Sequence, residues 1–262
     1  MGAAARLPLP RPVSRAAIEV YRRYFDVDLD DVAPDTLAHG FSSFDEFFTR
    51  PLKAGARPIE SAPEYSVVSP CDGNVRSFGT IEPDLRVVAK GLQYTIPQLV
   101  ADDALAQQLV GGTHLTIYLH PRDYHRVHAP VHGQVRKVIA VPGRLLPVND
   151  AALDRNPELF TVNERLVHVI DTPLGPVVAV MIAAFGVGHM TCSYLGVQPH
   201  PSEVTPVDCA PPVDIDRGDE LGMFHLGSTV VLLTGPGHRP GPALREGPVR
   251  LGTGLLMREE AP

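Results

Sequence analysis

Tryptophan is missing altogether from the 262 residues, cysteine is limited to three, and no apolar run reaches the length of a membrane span. Cys71, Cys192 and Cys209 form no CxxC pair and are odd in number. That argues against a disulfide framework and fits a reducing compartment. No window approaches the roughly 18 apolar residues of a spanning helix, and MGAAARLPLPRP has no apolar h-region. Neither a membrane anchor nor a secretory signal is therefore expected. Positive charge is in deficit as well: a net charge of −7 argues against a general affinity for nucleic acid.

What is present describes an ordinary globular chain. Hydrophobic residues make up 44% and charged residues 20%, enough to bury a sizeable core in one large or two small domains. The 27 prolines are about twice the usual share of roughly 5%, and their scatter punctuates many short strands. Residues 14–25, SRAAIEVYRRYF, read as a helix, with Ser14 as N-cap and Ala17, Val20, Tyr21 and Tyr24 on one face. A second short helix through SSFDEFFTR is capped by Ser42 or Ser43. From about Val67 the period changes to strands: THLTIYL alternates, and VRKVIAVPG, RLVHVIDTPLG and PVVAVMIA follow. TIPQLVADDALAQQL (95–109) reads as one internal helix, and the Gly- and Pro-rich tail after Gly235 as irregular. The expected fold is α+β: a helical arm over 1–50 and a single β-rich body of mostly antiparallel strands over 51–262.

The densest polar cluster is HPRDYHRVHAPVHG, with His120, His125, His128 and His132. Its spacing matches neither HExxH nor a zinc-finger pattern, so no metal is assigned, and His120 and His132 read as loop residues bonded to backbone or solvent. His125 and His128 could instead serve a serine nucleophile, which needs a base and a carboxylate to orient that base. The carboxylate is Asp72 of SPCDG, although Asp72-Gly73 is equally a hairpin signal. The serine is Ser228 in FHLGSTVVLL, where a Gly-Ser pair stands at the entrance of a buried strand. Ser228 is not in a GxSxG elbow. Its hydroxyl can attack the carbonyl of Gly227, which lacks a Cβ and tolerates strained dihedrals. The resulting ester, on losing the Ser228 Cα proton, would eliminate, cut the chain and leave a dehydroalanine that tautomerises and hydrolyses, with loss of ammonia, to an N-terminal ketone.

At these residues the chain resembles the pyruvoyl-dependent phosphatidylserine decarboxylases. FDEFFTRPLKAGARPI (44–59), SPCDG (69–73), KGLQYTI (90–96), YLHPRDYHRVHAPVHGQV (118–135), NPELFTVNERLV (156–167) and GDELGMFHLGSTVVLL (218–233) stand in the family's order. The resemblance implies a processing triad of Asp72, His128 and Ser228, cleavage between Gly227 and Ser228 into chains 1–227 and 228–262, and conversion of Ser228 to the pyruvoyl cofactor. It implies decarboxylation of phosphatidylserine to phosphatidylethanolamine through a Schiff base, with His125 as proton donor or substrate-orienting group. The partners it implies are the phospholipid, an anionic membrane surface met peripherally by the arm, the chain's own cleaved halves and a second copy in a homodimer. The location is then the cytoplasm, at the face of the cytoplasmic membrane.

Two departures bear on the substrate. IAAFGVGHM (182–190) puts Phe185 and His189, here taken as lining the substrate, where the family usually has Thr and Ser. The segment after it lacks the customary tryptophan. The same pyruvoyl chemistry on another serine-headed lipid or a soluble amino-acid derivative is the first alternative. A Ser-His-Asp or zinc hydrolase is the second, and a non-catalytic β-rich binding module the third.

Overall fold

The computed structural model describes residues 11–89, 92–148, 150–153, 155–185, 189–225 and 228–259. Its centre is an eight-stranded sheet whose spatial order is Thr205–Ile215, Gly133–Val141, Arg165–Thr172, Gly175–Ala183, Ser228–Thr234, Thr113–Leu119, Gly73–Thr80 and Gly247–Val249. Every neighbouring pair in it is antiparallel. The continuous apolar runs of the sequence fall in its middle because both faces are covered. Along Gly175–Ala183, Ala179, Met181 and Ala183 enter one core and Val178, Val180 and Ile182 the other, as the two-residue period of a strand requires.

The first face carries a three-stranded sheet of Met190–Cys192, Glu220–Phe224 and Arg126–His128. Its Phe224, Leu221 and Val127 pack on Leu119, Ala183 and Val230. The second face carries the hairpin of Arg86–Ala89 with Leu92–Thr95 and two short helices, Ile96–Val100 and Asp103–Gln108. These replace the one helix expected over 95–109. Ala101 takes a left-handed conformation (φ 56°), and Asp102, with its short acceptor, caps a fresh start by accepting from the Leu105 N–H at 2.9 Å. The tail is not irregular either: His238–Pro240 and Gly254–Arg258 pair with one another, and Gly254–Arg258 also pairs with Tyr65–Val68. Partners far away in sequence supply an order that local composition hides.

The arm is helical, though rotated from its expected face. Pro12 is tolerated in the first turn of a helix, so the helix runs Arg11–Phe25 and Ser14 lies inside it. The Ser14 hydroxyl is buried and turned towards the Phe41 carbonyl. Ile18, Tyr21 and Phe25 pack on Phe44 and Phe47 of a second helix, Phe44–Phe48. Val13, Val20 and Tyr24 point outward, Tyr24 with 80% of its surface exposed. Ser43 caps the second helix as expected, accepting from the Glu46 N–H at 3.1 Å. Among the described residues no helix is long and apolar enough to cross a membrane. The α+β, β-rich reading of the sequence therefore holds.

Candidate active site

Ser228 opens the fifth strand of the large sheet, opposite Leu119 on one side and Ala183 on the other. It is fully buried, and its hydroxyl has no hydrogen-bond partner. A buried hydroxyl left unpaired costs about 1–3 kcal/mol, so such an atom wants a reason to be there. Gly227, the other half of the predicted cleavage site, lies outside the described residues. Three stretches of chain leave the large sheet beside Ser228: after Leu119, after Ala183, and the segment from Phe224 that leads into Ser228 itself. Each carries a histidine: His125, His189 and His225.

His125 is fully buried against the Phe48 ring, 4.0 Å between centroids. Its Nδ1–H donates to the Asp123 carbonyl at 2.9 Å, which leaves Nε2 with its lone pair and no partner. Desolvation lowers its pKa from 6.5 to about 3, because burial disfavours the charged imidazolium. The turn that holds it is gripped from the arm. Arg50 donates to the carbonyls of Arg122 and Asp123 at 3.0 and 3.4 Å, and Arg126 donates to the Thr49 carbonyl at 3.0 Å through Nε and 2.9 Å through Nη2.

Asp72 and His128 lie near one another without being joined by a hydrogen bond. The Asp72 carboxylate is taken by the Arg57 fork, with contacts of 2.9, 3.0 and 2.6 Å, and by the Leu251 N–H at 2.9 Å. Arg57 is shared with Asp31 at 2.7 Å. His128 donates from Nδ1 to the Gly218 carbonyl at 2.7 Å and accepts at Nε2 from the Tyr124 hydroxyl at 3.1 Å. Burial lowers its pKa, a shift that the nearby Asp72 charge partly opposes. Asp72 is no hairpin residue: the strands before and after it, Tyr65–Val68 and Gly73–Thr80, belong to different sheets. Gly73 is required by packing, since a Cβ there would stand 2.6 Å from the Tyr118 carbonyl oxygen.

Of the two unusual residues, Phe185 is 59% exposed and its N–H donates to the Leu146 carbonyl at 3.2 Å. His189 stacks on His225 at 3.9 Å with ring planes 11° apart. His225 donates from Nδ1 to Asp45 at 2.7 Å and accepts from the Thr191 hydroxyl at 3.3 Å. The helix Phe44–Phe48 thus seats two imidazoles, His125 through Phe48 and His225 through Asp45. His120 accepts from the Arg122 N–H at 3.3 Å and His132 pairs with Asp216 at 2.6 Å on the surface. Among the described residues no group of three or more His, Cys, Asp or Glu side chains is placed to hold a metal ion.

Arg57, Tyr124, His225 and Asp45 are the residues that sequence reasoning missed. Arg57 and Asp45 stand inside the FDEFFTRPLKAGARPI block, Tyr124 inside DYHRVH and His225 three residues before Ser228. Their positions were within view, but their partners lie 15, 4 and 180 residues away, and no local pattern announces such pairings.

The phosphatidylserine decarboxylase family model matches residues 44–256, a span that contains every residue of this site named above except Asp31. The chain is 41% identical over 239 residues to the phosphatidylserine decarboxylase proenzyme of Myxococcus xanthus, covering 90% of this chain and 84% of that one. It is 39% identical over 267 residues to the proenzyme of Bordetella petrii, covering 98% and 91%, and 42% identical over 229 residues to that of Azotobacter vinelandii, covering 85% and 79%. A match that spans most of the chain and takes in Asp72, His125, His128 and Ser228 leads to one conclusion: the chain belongs to the phosphatidylserine decarboxylase family.

Proposed function

We propose that this protein is a proenzyme that cuts itself between Gly227 and Ser228 and then decarboxylates phosphatidylserine to phosphatidylethanolamine. The observation that carries the reading is Ser228 itself: a buried, unpartnered hydroxyl at the head of a strand clamped on both sides. A pyruvoyl group made from that residue fits the position, because its formation removes the orphaned Ser228 hydroxyl. When present, such a group supplies an electron sink for the bond to CO2.

His128 is the base that frees the Ser228 hydroxyl, once Tyr124 yields its hydrogen bond to Nε2. Asp72, held in place by Arg57, favours the imidazolium that results. His125 is assigned by its tautomer. With the proton on Nδ1 committed to Asp123, Nε2 accepts the proton that the substrate ammonium must shed, and then returns it to the α-carbon that has lost CO2. Its apolar seat against Phe48 keeps the imidazole neutral for that first step. His189 and Phe185 border the same junction and are assigned to the substrate's surroundings.

The cut halves, 1–227 and 228–262, stay together because the small chain contributes a central strand. Val230, Val231, Leu232 and Leu233 are fully buried there, each worth roughly 1.5–3 kcal/mol. A homodimer and a place at the cytoplasmic membrane face belong to the same reading. The outward row of Val13, Val20 and Tyr24 suits the acyl boundary of a bilayer. The basic side contributes less, since Arg22 and Arg23 both bond Glu19, at 2.9 and 2.6 Å.

Vesicles of phosphatidylserine test this reading. They should yield CO2 and phosphatidylethanolamine, whereas CO2 from a soluble serine derivative with none from vesicles would sink the lipid assignment. Replacing both Val20 and Tyr24 by Glu should cut vesicle binding about tenfold or more, measured by co-sedimentation, without affecting self-cleavage. Unchanged sedimentation would mean that the arm is not the docking face.

A further inference from the structure

Thr229, the residue bonded to Ser228, lines a cavity of about 220 Å³ on the second face of the large sheet. None of the steps above uses it. Its rim is half-buried and polar, formed by Arg76 and Tyr118, and its floor is buried and apolar, formed by Leu92, Val148 and Phe160. The Arg76 guanidinium lies over the Tyr118 ring, 5.0 Å from its centroid. The same two side chains also line the open cleft that contains Asp72, so they form the wall between cleft and cavity. On the cavity wall Thr116 is buried with its hydroxyl facing Tyr94, and neither hydroxyl has a hydrogen-bond partner of good geometry.

A pocket with a cation at its lip, an orphaned hydroxyl on its wall and hydrocarbon beneath has the layout of a phospholipid's interior. Register fixes how far this lip is from the reacting centre. Tyr118 is the partner of Thr229, and the strand holding Arg76 is the next one over. Consecutive Cα atoms lie about 3.8 Å apart and neighbouring strands about 4.8 Å. Arg76 is therefore two strands across from residue 228, and since the Ser228 side chain shares the first face with its partners Leu119 and Ala183 while Thr229 faces the cavity, a serine phosphodiester head group would span that gap around the strand ends, where residue 228 and Leu119 lie.

We propose that this cavity seats the ester-linked start of one acyl chain of the phospholipid substrate, while Arg76, braced on Tyr118, binds the phosphodiester. The assignment rests on the proposed function and narrows it. It makes Arg76 a specificity-determining residue that tells a phospholipid from a free amino acid. Thr116 donates to an ester carbonyl, and Leu92, Val148 and Phe160 take up the first methylenes. A planar, delocalised cation suits a phosphodiester because it donates two parallel N–H bonds at once.

The test uses the full chain carrying Ser228→Ala, so that binding is read without turnover. Calorimetry with dihexanoyl phosphatidylserine and with glycerophosphoserine should show that Arg76→Ala weakens both about tenfold or more. Arg76→Lys should restore part of the loss. Ala89→Phe, which fills the cavity from the hairpin, should weaken the dihexanoyl lipid alone, and retained glycerophosphoserine binding shows that this variant is folded. No binding of the short-chain lipid, equal affinity with and without Arg76, or equal effects of Ala89→Phe on both ligands would overturn the assignment. The parent reading fails separately: it falls if the unsubstituted protein releases no CO2 from phosphatidylserine.

Discussion

Ser228→Ala should leave a single uncut chain with no decarboxylase activity, a loss to background rather than a reduction. The substitution removes one buried oxygen that has no hydrogen-bond partner, so nothing that holds the fold is taken away. Relieving an unsatisfied buried hydroxyl is neutral to stabilising, and the variant should melt at or above the temperature of the parent chain. That combination discriminates: a structural serine would lose stability and keep function, whereas a precursor serine loses function and keeps stability. Gel electrophoresis for the cut, CO2 release for activity and a thermal melt for the fold together decide it. A variant that is still cut, or still releases CO2, would remove Ser228 from the mechanism.

His125→Gln should separate the two reactions. Self-cleavage should continue, because the base assigned to that step is His128, while decarboxylation should fall by about 10²–10⁴-fold, the usual range for a lost general acid–base group. Glutamine can keep a donor near the Asp123 carbonyl but cannot take up a proton and return it. The pH dependence follows from the lowered pKa. Held at about 3 by burial, His125 is neutral across the working range, so its base form is already full at pH 5 and gains nothing on going to pH 8. The sign for stability is the opposite of a paired histidine's. Between about pH 6.5 and 3 the unfolded chain binds a proton that the native imidazole refuses, so stability falls as pH drops through that window. Loss of cleavage in His125→Gln, or a decarboxylation rate that rises with a pKa near 6.5, would contradict the assignment.

Local signals were legible in the sequence to the extent that they were local. The buried strand beginning at Ser228, the Ser43 cap and the long apolar strands each depend on residues adjacent in the chain, and the structure has them. The helix over 95–109 failed at one residue, where Asp102 offered the backbone a better cap than continued helix. The arm failed by rotation. The row Ala17, Val20, Tyr21, Tyr24 and the row Ser14, Ile18, Tyr21, Phe25 share Tyr21, and only the packing partners Phe44 and Phe47 choose between them. The tail failed because two of its strands pair with Tyr65–Val68 and Gly73–Thr80, far away in sequence, and the third, His238–Pro240, pairs with one of those two.

For the site, residue types were readable and their bonding was not. A carboxylate, two histidines and a serine could be picked out. That the Asp72 carboxylate is held by Arg57, that Tyr124 bonds Nε2 of His128, and that His225 is bridged to the arm through Asp45 are facts of three-dimensional pairing. The triad proposed above, Asp72, His128 and Ser228, is therefore not a standing relay in the continuous chain: on that proposal the Tyr124 bond has to open before His128 can act.

If this chain makes its own reactive terminus, the intact mass of the unsubstituted protein after incubation will show it. Two species are expected, residues 1–227 and residues 228–262, with the smaller one blocked at its N-terminus and gaining hydrogen on borohydride reduction at position 228. A single species of 262 residues that persists through prolonged incubation would contradict it.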